Sequence, residues 1–246
     1  MIIQVLSDLH VEFGERKVHI PVKAPILALL GDIGNLLADR YKELIVTCSQ
    51  RWEHVVIVLG NHEYYEHDIW TLLEETKKTF KDLHNVHILD NEFIVLHGYE
   101  IVGSTLWASY GSMDKDKRVK DFKSIKGINV DLVNQMHDFS VDKIIKMTRR
   151  KRPRAPKRQE KVYPVILLTH FGPFDNTGKI DKHLLTNIVV GSRIRLWAFG
   201  HEHKSFDEIF LDTTLLSNPL GYPDEKNVGF KDVCTWSETL KNCAQF

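Results

Sequence analysis

The chain has 246 residues, and its 33 Lys and Arg are balanced by 33 Asp and Glu, so net charge points to no polyanionic partner. That length permits one large domain, residues 1–246, able to bury roughly three quarters of its unfolded surface without staples. Three widely spaced cysteines, Cys48, Cys234 and Cys243, exclude a CxxC ribbon or redox motif and point to a reducing compartment.

The chain opens on the apolar run Ile2 to Leu6, too short for a signal-peptide core, and ends it in Ser7-Asp8-Leu9-His10. No later run approaches the roughly 18 apolar residues of a membrane span. A cytoplasmic location with no membrane partner is therefore expected. Ile26 to Leu30 reads as a second strand, closed by Gly31-Asp32, and apolar residues at Tyr41, Leu44, Ile45, Cys48 and Trp52 have helical spacing. Val55 to Leu59 is a third strand, closed by Gly60-Asn61-His62-Glu63. Asp68 is read as the cap of a helix whose apolar face runs from Ile69 to Leu83. Strand–helix–strand–helix is the rhythm of parallel βα units with helices against a sheet.

Val86 to Leu89, Phe93 to Leu96 and Glu100 to Leu106 are short and closely spaced, which predicts hairpins in a second, mixed or antiparallel sheet. Residues 110–126 read as a surface excursion, and Asn129 to Thr148 as a helix. Arg149 to Lys161 is basic, holds two prolines and reads as an exposed loop. A nuclear-import or nucleic-acid patch is its alternative reading, although no aromatic interleaves the basic residues. Strands resume at Val165 to Leu168, Arg195 to Phe199, Phe206 to Phe210 and Thr213 to Leu216. The expected architecture is two stacked β-sheets flanked by helices.

Five strand ends carry chemistry: Asp8-x-His10, Gly31-Asp32, Gly60-Asn61-His62-Glu63, Thr169-His170 and Gly200-His201-x-His203. In sheets built from βα units the loops at the strands' carboxyl ends form the ligand crevice. Residues two apart on extended chain share a face, which would pair Asp8 with His10 and His201 with His203. A singly placed histidine is more often a satisfied core or surface residue; in this order and at these positions the set reads as a ring of O and N donors. Without thiolates, such a ring suits a pair of divalent ions: manganese, iron or zinc. Glu63 reads as a carboxylate for backbone groups, Tyr64 and Tyr65 as packing residues with one free to line a pocket. His19, His54, His67, His84, His87, His97, His137 and His183 lie outside the motifs and are given no chemistry.

This order of motifs resembles the calcineurin-like metallophosphoesterase superfamily, and the resemblance runs from Asp8 to His203. Gly60 to Tyr65, Ser104 to Trp107, Asp121-Phe122 and Asn218 to Pro223 resemble a bacterial-type branch. The resemblance implies a four-layer αββα sandwich with a dinuclear metal site at the strands' carboxyl ends. It further implies Asp8, His10 and His203 on one metal, Asn61, His170 and His201 on the other, Asp32 as bridge, and His62 as an unligated catalytic residue. The implied reaction is hydrolysis of a phosphate ester, a phosphodiester before a monoester, by a metal-bridged hydroxide, with His62 protonating the leaving group. A non-catalytic scaffold on the same fold is the rival class, though scaffolds of this kind commonly lose ligands that are intact here. Two departures matter. Gly31-Asp32-Ile33-Gly34-Asn35 lacks the Asp-Arg-Gly pattern of phosphoprotein phosphatases, and Leu220 stands where the branch usually has arginine.

Overall fold

Near-continuous apolar runs favour strands buried on both faces, and three of them form the centre of a five-stranded sheet. The computed structural model describes residues 1–13, 18–111, 120–149, 161–175, 177–226 and 228–238. β1 (Ile2–Leu6), β2 (Ile26–Leu30), β3 (His54–Val58) and β4 (Val86–Ile88) run parallel in that order, and β11 (Thr235–Ser237) adds an antiparallel edge beside β1. The second sheet has the order β5 (Glu92–Leu96), β6 (Tyr99–Ser104), β7 (Val165–Thr169), β8 (Ile194–Phe199), β10 (Thr213–Ser217), β9 (Phe206–Phe210). Its two outer pairs are antiparallel and its inner ones parallel, so both sheets are mixed.

The two-residue period of the strands divides the core into layers. Ile3, Val5, Ala28 and Val56 meet Ile101, Ile166, Leu168 and Ala198 between the sheets. The alternate residues Leu27, Leu29 and Ile57 pack on Tyr41 and Ile45 of α1 (Asp39–Arg51) and Leu72 of α2 (Leu72–Thr79). On the far side, Val102, Leu167 and Trp197 pack on α4 (Val130–Thr148) and α5 (Lys182–Val189). The result is the expected αββα sandwich. A short α3 (Asp121–Ser124) precedes α4, giving five α-helices among the described residues, none long and apolar enough to cross a membrane.

Some sequence expectations need correction. β4 does not begin a run of hairpins. It pairs parallel with β3 in the first sheet, and of these three strands only β5 and β6 form a hairpin. The chain changes sheets at Asp90-Asn91, where Asp90 accepts from the Thr105 N–H and the Ser104 hydroxyl donates to the Asn91 Oδ1. Asp68 does not cap α2. Its carboxylate accepts from the Trp70 N–H in a local turn, and the helix starts four residues later. Asn129 does cap α4, accepting from the Leu132 N–H. The reading of residues 110–126 as a surface excursion fails where α3 returns Asp121 to the interior; residues 112–119 lie outside the described residues, as do residues 150–160 of the basic stretch.

Candidate metal centre

All eight residues singled out at strand ends come together at the carboxyl edge of β1, β2, β3, β7 and β8. Asp8, His10 and His203 converge as one group of donor atoms, Asp32, His170 and His201 as another, and His10, Asp32 and His62 as a third. Asn61 joins through its Oδ1, 2.9 Å from His170 Nε2. Asp32 stands between the groups: Oδ1 lies 3.5 Å from His170 Nε2, and Oδ2 lies 4.0 Å from both His10 Nε2 and His62 Nε2. His10 Nε2 and His203 Nε2 are 3.1 Å apart.

The pairs reach this centre by a route that extended chain does not provide. Asp8, His10, Asp32, His201 and His203 all have φ between 45° and 71°. Left-handed backbone is uncommon and unfavourable outside glycine, and it concentrates at functional sites. It persists here because neighbouring backbone fixes it: the Asp8 N–H donates to Gly31 O and the His10 N–H to Asp32 O. The His201 N–H donates to the Asp8 carboxylate. Gly60 is required by close approach, since a Cβ there would lie 2.2 Å from Asp32 Oδ1. Asn61 and His62 are likewise not extended. Asn61 is in the right-handed helical region, and His62 opens a single 3₁₀ turn to Tyr64, which sends the two side chains to different partners. Glu63 is buried beneath, accepting from the N–H groups of Asp32, Ile33 and Gly60 at 2.7–2.9 Å, as expected of it.

The electrostatics call for cations. Burial, with the charges of Glu63 and Asp8 added, pushes the Asp32 carboxyl well above its usual range. Burial pulls His170 down to about 4 and His201 to about 3, so both rings are neutral, the form that ligates a metal. Lys120, exposed at the rim, is the one cationic side chain among the described residues lining the cleft of about 410 Å³. Buried carboxylates with the neutral imidazoles of His170 and His201, and no buried ammonium or guanidinium among the described liners, fit divalent metal ions.

Several neighbours escaped the sequence reading. Glu12 Oε1 lies 3.0 Å from His10 Nδ1 and 3.5 Å from His62 Nδ1; burial raises its carboxyl, but both histidines outweigh that and hold it at about 2. Asp8-x-His10-x-Glu12 was a visible signal for it. Glu225 stands 2.5 Å from His203 Nδ1, and the Tyr222 hydroxyl 3.0 Å from His62 Nε2. Tyr65 stacks on His62 with ring centroids 4.3 Å apart and donates to Asp121, which also accepts from Asn61 Nδ2. Tyr64 instead packs on Trp107 in the core. Leu220 packs against the core beside the first sheet, and Asn35 accepts from the Leu37 N–H in its own turn.

A model of the calcineurin-like phosphoesterase family matches residues 1–205. The uncharacterized protein L509 of Acanthamoeba polyphaga mimivirus is 24% identical over 270 residues, covering 92% of this chain and 93% of that protein. Among solved structures, the phosphopantetheinyl hydrolase of Mycobacterium tuberculosis has a TM-score of 0.63 at 15% identity, over 90% of this chain and 89% of the other. The protein TT1561 of Thermus thermophilus has a TM-score of 0.52 at 12% identity, over 89% of this chain and 88% of the other. At these identities the two structures share the fold.

Proposed function

The chain belongs to the calcineurin-like phosphoesterases, and from that premise we propose that it is a dinuclear-metal hydrolase preferring phosphodiesters. Asp8, His10 and His203 would hold one ion, Asn61, His170 and His201 the other, with Asp32 shared. The observation that carries this reading is that the two oxygens of Asp32 face different histidines, His170 on one side and His10 on the other. Two bound divalent ions supply charge for the phosphoryl oxygens and bring a water's pKa toward neutrality.

The chain's own residues handle the leaving group. His62 Nε2 faces the cleft, where the Tyr222 hydroxyl meets it, and Glu12 stands behind the ring at Nδ1. A carboxylate behind the ring stabilises the imidazolium, so His62 can give its Nε2 proton to a departing oxygen. Tyr65 and Tyr222 hold the ring's orientation.

The charge of the walls around the two ions supports the preference for diesters. A phosphomonoester brings close to two negative charges at neutral pH, a diester one. The cleft walls carry Asp121, Glu202 and Glu225 against Lys120 alone among the described liners. The test compares bis-p-nitrophenyl phosphate, p-nitrophenyl phosphate and a phosphopantetheinyl ester with manganese present. Diester kcat/KM at least about tenfold higher is expected, equivalent to about 1.4 kcal/mol at the transition state. Equal or better monoester turnover supports a monoesterase instead, and metal binding without turnover of any ester supports a scaffold.

A further inference from the structure

At the opposite end of β3 lies a second gathering of metal-ligating groups, which the candidate centre does not use. Glu53 and His54 stand where the chain enters β3, and His97 sits in the turn between β5 and β6. Glu53 Oε1 is 3.1 Å from His97 Nε2 and 3.8 Å from His54 Nε2, and the donor atoms of all three lie within 4.8 Å of one another. His54 opens β3 and Asn61 lies beyond its far end, so the five residues of the strand, roughly 15 Å at strand rise, stand between the two gatherings and keep them distinct.

Three features fit these groups to a single ion. Donors around a tetrahedral ion with bonds of about 2.1 Å stand roughly 3.4 Å apart, a value bracketed by the two Glu53 distances. His54 Nδ1 lies 3.2 Å from His87 Nε2 on the adjacent strand β4. If His54 donates there, its Nε2 is left as a bare lone pair facing Glu53, the arrangement that orients ligating histidines. His97 also occupies an unusual position. His97 and Gly98 have φ of 49° and 79° in the two-residue β5–β6 loop, where asparagine or glycine is the favoured first residue. The side chains are partly solvent-exposed, at 24% for His54 and 32% for His97, so an ion can enter from solvent.

We propose that Glu53, His54 and His97 form a second, independent site for one borderline transition-metal ion of the zinc class, with His87 orienting His54. Two imidazoles and a carboxylate suit such an ion better than magnesium or calcium, which favour all-oxygen shells. Because His54 belongs to the first sheet and His97 to the second, the bound ion clips the two sheets together at the end away from the cleft.

The test is zinc content of the full-length chain, stripped with chelator, reloaded with zinc and desalted, against His97→Asn. Asparagine keeps the left-handed turn, so this variant retains its fold, checked by near-ultraviolet circular dichroism. Wild type is expected to hold one more zinc per chain than His97→Asn, whatever number the other end binds. Zinc should also raise the melting temperature of wild type further than that of the variant. His87→Gln should keep the ion but bind it about 10–100-fold more weakly. Equal zinc content and equal thermal response in wild type and a folded His97→Asn overturn the site and leave only a hydrogen bond between Glu53 and His97.

Discussion

The two ends of β3 each present histidines, but they are held in opposite ways. At the carboxyl end His62 and Asn61 are buried, and the backbone around them is fixed by Glu63, whose carboxylate binds N–H groups of two separate loops. At the amino end His54 and His97 are partly exposed, and side chains meeting one another do most of the holding. The first arrangement stores left-handed backbone at five residues and fixes the polar groups before substrate arrives; the second costs the fold little. Preorganisation of the first kind is what a hydrolytic centre needs, whereas a site that merely ties two sheets together can be assembled from the surface.

The largest effect should come from breaking the carboxyl end at Asp32, the carboxylate proposed to be shared. Asp32→Asn is expected to lower kcat on bis-p-nitrophenyl phosphate by roughly 10³-fold, about 4 kcal/mol, and to reduce bound metal. Steady-state kinetics with elemental analysis checks both; wild-type turnover would remove Asp32 from the bridge.

Next comes His62. An acid matters greatly for a poor leaving group and little for p-nitrophenolate, which departs unaided. His62→Asn should lose about 10²–10⁴-fold on an alkyl ester, much less on the nitrophenyl ester, and keep its metals. Equal losses would reduce His62 to a positioning group. Loss of a metal would make it a ligand, which its approach to His10 and Asp32 keeps as a concrete alternative. Tyr222→Phe removes the hydroxyl beside His62 Nε2, and a fall of about tenfold in kcat on the alkyl ester is expected. The smallest effect belongs to the other end: His97→Asn should leave kcat on either ester within about twofold of wild type, since His97 sits in the β5–β6 turn and lines no part of the cleft.

The same contrast explains what the sequence reveals. Apolar runs closed by Ser-Asp, Gly-Asp or Gly-Asn-His mark β1, β2 and β3 within a residue, because strands buried on both faces need local hydrophobicity. The donor set at their ends is legible for the same reason. β11 is not, since Thr235–Ser237 is a three-residue edge whose partner β1 is at the other end of the chain. α5 could have been found from Asp181, which accepts from the N–H groups of His183 and Leu184, ahead of Leu184, Leu185, Ile188 and Val189. Asp121, Tyr222 and Glu225 reach the cleft through tertiary packing alone, so the motifs that hold Asp121 and Tyr222 are visible while the roles of all three are not. The left-handed turns at Asp8 and His10 are equally hidden, because hydrogen bonds to the neighbouring loop set them rather than local propensity.

The proposed hydrolysis depends on two ions sharing Asp32. Anomalous diffraction from a manganese-soaked crystal tests it most directly. Two peaks about 3.5–4 Å apart are expected, one beside His10 and His203, the other beside His170 and Asn61, both within bonding distance of the Asp32 carboxylate. A single peak, or two peaks of which one does not touch Asp32, would contradict it.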